Sequence, residues 1–136
     1  MRKTVIGLVA LCTLTACTPQ EIAVHVWMNR DTGTECRAWV GATRLAGFPE
    51  RVVPTMQRIM RRESNCLPWA YRPGYKNNDG RPDFGLFQVH ESWIPSLIRA
   101  GIITSASDLF NPQLNARAAF YIYQTQGLGA WNATCC

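Results

Sequence analysis

Hydrophobic positions along this chain recur mostly every three or four residues, the spacing that gathers them on one face of an α-helix. In residues 35–46, Cys36, Trp39, Val40 and Thr43 share such a face, and Gly47-Phe48-Pro49 ends it. A second helix is expected to run to Ser64, with Pro54 in its first turn, where a missing N–H costs no helical bond. Residues 65–82 read NCLPWAYRPGYKNNDGRP; so much Pro, Gly and Asn predicts a long ordered loop or a small β element. Residues 84–89 are apolar and β-prone. A short helix over residues 92–100 carries Pro95 early and stops at Gly101. Ser105-x-x-Asp108 has the spacing of a helix start. Asn111-Pro112 opens the clearest helix, with a capping side chain, proline at the first helical position, and Gly127 past the end. Ile22, Val24 and Val26 alternate instead, as in a short strand or a tether. The pattern predicts a mainly α (α+β) single domain with a small central β or loop lobe.

One polar residue breaks the pattern. At about 100° per residue, Val52, Met56, Ile59, Met60 and Glu63 fall within a single arc of about 100°. Arg51, Arg58, Arg61 and Arg62 hold the opposite face, where a solvated Glu would be expected. The arginines read as a solvated face, with wall binding as the lesser use. Glu63 reads either as a helix-end carboxylate tipped into water or as a carboxyl set in an apolar wall. In the second case desolvation disfavours the charged form, and the group can deliver a proton to a leaving oxygen.

Composition and charge narrow the class. With 47% hydrophobic and 17% charged residues the chain is unlike a disordered one, and 136 residues suit one domain. The net charge of +5 includes Arg2 and Lys3, which lie in a segment expected to be removed. The mild basic bias left suits polyanionic surfaces without choosing among them. Two histidines, His25 and His90, are too few for a histidine-rich metal site. Asn77-Asn78-Asp79-Gly80 fits a calcium loop poorly, because that register sets Tyr75 and Leu86 where oxygen ligands belong. It reads as a turn, with Asp79 bonding its own backbone. No metal and no cofactor are expected.

Residues 1–16, MRKTVIGLVALCTLTA, have the basic start, apolar run and small residues of an export signal. Leu14-Thr15-Ala16-Cys17 resembles the lipobox of bacterial lipoproteins. That resemblance implies cleavage before Cys17, a lipid on its thiol, and a membrane-held protein outside the cytoplasm. In an exported domain, Cys36, Cys66, Cys135 and Cys136 suggest two disulfides. Joining the neighbours Cys135 and Cys136 would strain a small ring, so each is expected to reach Cys36 or Cys66.

Glu63-Ser64-Asn65, followed by Asp79-Gly80-Arg81-Pro82-Asp83-Phe84-Gly85-Leu86-Phe87-Gln88, resembles the lysozyme-like superfamily of C-type lysozymes and lytic transglycosylases. Asn111-Pro112 with Asn115 and Ala116, and the closing Ala130-Trp131, agree with it. The signal pattern and lipobox imply residues 1–16 as signal and 17–48 as lipidated tether and N-terminal extension, and the lysozyme-like resemblance implies 49–136 as the catalytic domain. It implies Glu63 as the catalytic acid and Asp83 as the carboxylate that stabilises or traps the sugar cation. Ser64, Gly85, Gln88, Trp93 and Trp131 would line the sugar groove. The implied activity is lysozyme-type hydrolysis of the β-1,4 bond between N-acetylmuramic acid and N-acetylglucosamine. A lytic transglycosylase forming 1,6-anhydro ends is the alternative, and an inactive glycan-binding lipoprotein a second. The implied partners are peptidoglycan strands and, through the lipid, a membrane. No nucleic acid is implied, and a monomer is expected in the bacterial envelope.

Overall fold

The computed structural model describes residues 36–132. The export signal, Cys17, the Ile22–Val24–Val26 alternation, Cys135 and Cys136 lie outside the described residues. A single 3-10 turn, Arg37–Trp39, leads into helix α1, Val40–Ala46, which Gly47 ends at φ 109°. Helix α2, Val53–Ser64, has its proline in the first turn, as the sequence predicts. Asn65 caps it in the left-handed region at φ 54°. A three-stranded antiparallel sheet follows, with β1 at Tyr71–Arg72, β2 at Asp83–Phe84 and β3 at Val89–His90. Residues 84–89 are therefore not one strand. Gly85–Gln88 forms a turn between β2 and β3, because Gly85 (φ 74°) and Gln88 (φ 47°) both take left-handed backbone.

Helix α3, Ile94–Arg99, and helix α4, Pro112–Gln126, complete the main elements. Asn111 caps α4 by accepting from the N–H groups of Gln113 and Leu114. Ser105 and Asp108 form the capping box that starts the 3-10 helix Ala106–Phe110. The mainly α reading with a small β lobe stands.

The core lies between α2, α4 and the β2–β3 turn. Val53, Met56, Ile59 and Met60 of α2 are fully buried, as are Leu86, Phe87, Ala116 and Ala119. Phe48, just after α1, packs its ring on Phe87, Phe120 and Tyr123. Val40 and Ala42 of α1 are buried in the same core.

The disulfide expectation is corrected. Cys36 bonds to Cys66, not to Cys135 or Cys136. Cys36 precedes α1 and Cys66 follows α2, and these helices pack against each other across the reversal at residues 47–52. The start of one helix thus meets the end of the other, and both half-cystines turn through left-handed backbone. Counting cysteines cannot reveal that meeting, because it depends on how α1 folds back.

Candidate functional site

Glu63 stands in the last turn of α2, half-buried, one residue before the helix end. That end is fastened on three sides. The N–H of Asn65 bonds the Arg61 carbonyl and the N–H of Cys66 that of Met60. The indole N–H of Trp39 donates to the Cys66 carbonyl at 2.8 Å. The Cys36–Cys66 bridge closes the same turn covalently. The backbone one turn back from such an anchor, where Glu63 stands, is held in place.

Beyond Glu63 opens a cleft of about 410 Å³. Ser64, Tyr71, Arg72, Lys76 and Gln88 line it with Glu63, and Arg61 and Arg62 add further cations. The wall is therefore mixed, with Ala70, Tyr71 and Pro73 beside four basic residues, and more basic than the apolar wall that the helical arc predicts. The arc itself is correct, since Met56, Ile59 and Met60 are buried. The cations come from residues 71–76, which no helical projection includes, and from the rim of α2.

Behind the cleft, the Gly85–Gln88 turn is fixed by a set of buried bonds. The Asn115 amide on α4 accepts from the Phe87 N–H and donates to the carbonyls of Phe84 and Leu109. The Trp131 indole donates to the Phe87 carbonyl at 3.0 Å, and the Gly85 N–H donates to Ala70. The Gln88 amide bonds the carbonyls of Gly85 and Ala70. Gly85 is buried and forms part of this support, outside the cleft lining. Ser64 lines the cleft, with its hydroxyl donating back to the Met60 carbonyl.

Gln88, Trp93 and Trp131 meet elsewhere, around a smaller cavity of about 70 Å³. Trp93 packs edge-on against Tyr121 and Trp131 against Phe87. Trp131 is only 6% exposed, so its ring serves the core more than a groove. Gln88 touches both cavities, and its left-handed φ marks strained backbone between them.

Asp83 lies on β2 directly opposite Arg72 of β1. Its carboxylate accepts from the Asn77 amide at 2.8 Å, and it is not among the residues lining the Glu63 cleft. The Asn77–Gly80 segment is the turn expected, with the Asp79 carboxylate accepting from the Arg81 N–H. That bond and the neighbouring His90 ring hold the Asp79 carboxyl below its ordinary value of 3.8. Among the described residues, no group of three His, Cys, Asp or Glu side chains could hold a metal ion.

The sequence matches the family model for a lysozyme-like domain over residues 40–133, more than half of the chain. The protein belongs to the lysozyme-like family. Comparison with curated proteins and with solved structures gives no match. Membership puts the chain in a family of peptidoglycan-acting glycosidases and transglycosylases, which work outside the cytoplasm. Among the described residues no helix is long and apolar enough to cross a membrane.

The sequence reading missed Tyr71, Arg72 and Lys76 as cleft residues and gave Asn115 no role. The signal for the first three was present in Trp69-x-Tyr71-Arg72-x-x-Tyr75-Lys76, aromatic and basic residues interleaved in a loop. Asn115 carries no such signal, because one Asn in an apolar helix face cannot announce which backbone it will bind.

Proposed function

We propose that this lysozyme-like domain cleaves the β-1,4 bond between N-acetylmuramic acid and N-acetylglucosamine in peptidoglycan, with Glu63 protonating the leaving oxygen. One observation carries the reading: a half-buried carboxyl at an anchored helix end lines a cleft of about 410 Å³. Such a volume suits a small organic ligand or a short run of sugars. The substitution Glu63→Gln keeps shape and removes the acid, so the rate on labelled peptidoglycan falls about 2–4 orders of magnitude. Parent-like clearance by that variant would take Glu63 out of the reaction.

Asp83 is the proposed second carboxylate, stabilising the sugar cation until water completes hydrolysis. Its support is the register. Partners across an antiparallel pair share a face, and Asp83 is partnered with Arg72, a cleft residue. The Asn77 amide steadies the carboxylate.

A second reading is favoured by a different observation: Glu63 is the sole carboxylate among the residues lining the cleft. Without help from Asp83, the substrate's own 6-hydroxyl can close on the anomeric carbon and leave a 1,6-anhydro end. Product mass decides, since an anhydro end is one water lighter than a reducing end. Hydrolysis predicts reducing ends and a slow Asp83→Asn variant. Anhydro ends with an active Asp83→Asn variant establish transglycosylation.

The proposed address is the bacterial envelope, with a lipid on Cys17 holding the chain at a membrane. The basis is the sequence of residues 1–17. Membrane fractionation tests it: Cys17→Ser should release the protein, and equal partition of variant and parent rejects the anchor.

A further inference from the structure

The Asp83 carboxylate accepts from Asn77, and Asn77 belongs to a turn that must itself be held. Inside that turn the Asn77 amide also donates to the Arg81 carbonyl, and the Gly80 N–H returns to the Asn77 carbonyl. The Asp79 carboxylate accepts from the Arg81 N–H at one oxygen, Oδ1. Its other oxygen leaves the turn and meets the His90 ring on β3, Nε2 to Oδ2 at 3.1 Å. His90 is the strand partner of Asp83. The turn that carries Asn77 is therefore fastened, side chain to side chain, to the strand beside Asp83.

The proton on that ring is placed by its other nitrogen. Nδ1 accepts from the Ser92 N–H at 3.3 Å and lies 2.8 Å from the Ser92 hydroxyl. A backbone N–H can only donate, so Nδ1 offers its lone pair and the ring N–H sits at Nε2, facing Asp79. Asp79 is ready to receive it. Its carboxyl is held below the ordinary 3.8, chiefly by the Arg81 N–H and further by the His90 ring.

We infer that His90 and Asp79 are positioning residues for Asp83: their bond holds the turn of residues 77–81 on β3, and so keeps the Asn77 amide on the Asp83 carboxylate. This rests on the reading of Asp83 as the second carboxylate. The clasp then sets which hydroxyl finishes the reaction. A fixed Asp83 stabilises the sugar cation until water arrives, and a loose one lets the substrate's 6-hydroxyl close first. In both endings the attacking oxygen bonds the anomeric carbon and its proton passes to Glu63, which has just given one to the leaving oxygen.

The readout is the ratio of 1,6-anhydro to reducing ends, by product mass, after full-length protein digests purified peptidoglycan. A ratio does not depend on how much of a variant is folded. His90→Ala and Asp79→Asn should each raise it about fivefold, the worth of one half-exposed charged bond. Asp79→Asn fails because the two partners sit at different oxygens and an amide offers only one. His90→Gln keeps an N–H donor for Asp79 and should stay near the parent ratio. In an Asp83→Asn background, His90→Ala should add nothing, because the group it positions is gone. Asp108→Asn removes a carboxylate that caps a turn elsewhere, and should leave the ratio unchanged.

If Asp83→Asn moves the ratio while His90→Ala and Asp79→Asn do not, the clasp is rejected and Asp83 keeps its role. An effect of His90→Ala that persists in the Asp83→Asn background also overturns the inference, as does an equal effect of Asp108→Asn. A ratio that Asp83→Asn leaves unmoved rejects the Asp83 reading and the clasp with it. A parent that makes neither end rejects both together with the glycosidase.

Discussion

Asn115 is fully buried, and each polar atom of its amide meets a backbone group of another segment. In Asn115→Ala the Phe87 N–H and the Phe84 and Leu109 carbonyls lose their partner inside the core. An orphaned buried group costs about 1–3 kcal/mol, and some relaxation is available, so we expect about 3 kcal/mol of lost stability by urea denaturation. Rescue is not expected from Asn115→Asp, whose ionised carboxylate cannot donate to two carbonyls. Gly85→Ala attacks the same junction from the other side. A Cβ there would collide with the Asn115 amide and the Leu109 carbonyl, on backbone already at φ 74°. Both variants should lose activity through a displaced Gln88, with Glu63 itself untouched. An Asn115→Ala protein with parent stability would mean the turn is held by Trp131 and Ala70 alone.

Single elements carry the next level of control. The Cys36–Cys66 bridge spans 30 positions, and chain-entropy reasoning gives about 3–4 kcal/mol for such a loop. Cys36→Ser/Cys66→Ser should lower the melting temperature and loosen the turn behind Glu63. Non-reduced peptide mapping should recover a 36–66 cross-linked peptide; a 36–135 or 66–136 peptide would contradict the fold. The capping box at Ser105 is a pH-sensitive element. Asp108 accepts from the backbone and hydroxyl of Thr104 and from the Ser105 N–H, which hold its carboxyl below its ordinary 3.8. A carboxyl lowered in the folded state stabilises above that ordinary value and stops doing so as pH falls through the lower, folded one. Asp108→Asn should therefore matter at pH 6 and cease to matter well below 3.8, read as the difference in melting temperature from the parent. Most of this level was legible beforehand. Pro54, Asn111, Gly127 and Ser105-x-x-Asp108 act over a few residues, and their signals are local. The β2–β3 turn was not, because Gln88 takes left-handed backbone only while Asn115, 27 positions on, holds the turn. The basic cleft escaped for a like reason: Arg61 and Arg72 become neighbours only after the loop folds back over α2.

The whole molecule turns on where the domain starts. The motifs that carry the resemblance place the domain's start at residue 49, beside the Gly47-Phe48-Pro49 helix break, yet a break between helices is not a break between domains. Helix α1 lies inside the fold, with Val40, Ala42 and Thr43 buried. The Arg44 side chain is fully buried and reaches Glu50 through two bonds, Nε to Oε1 at 2.7 Å and Nη2 to Oε2 at 3.2 Å. Removing residues 1–48 would strip Glu50 of that partner, leave Cys66 a free thiol, and remove the Trp39 indole from the Cys66 carbonyl. It would also open Phe48's end of the core to water. Small domains have little burial to lose, so a 49–136 fragment should show no cooperative thermal transition. A 35–136 fragment should melt within a few degrees of the full chain. The functional consequence is sharper than the structural one, because two of the three lost contacts converge on the turn directly after Glu63. If residual helix remains in the 49–136 fragment, cleavage of peptidoglycan should still be absent, since the acid is then unaimed. A cooperative, active 49–136 fragment would show that α1 is an ornament on the fold and that the Glu63 helix end needs no anchor.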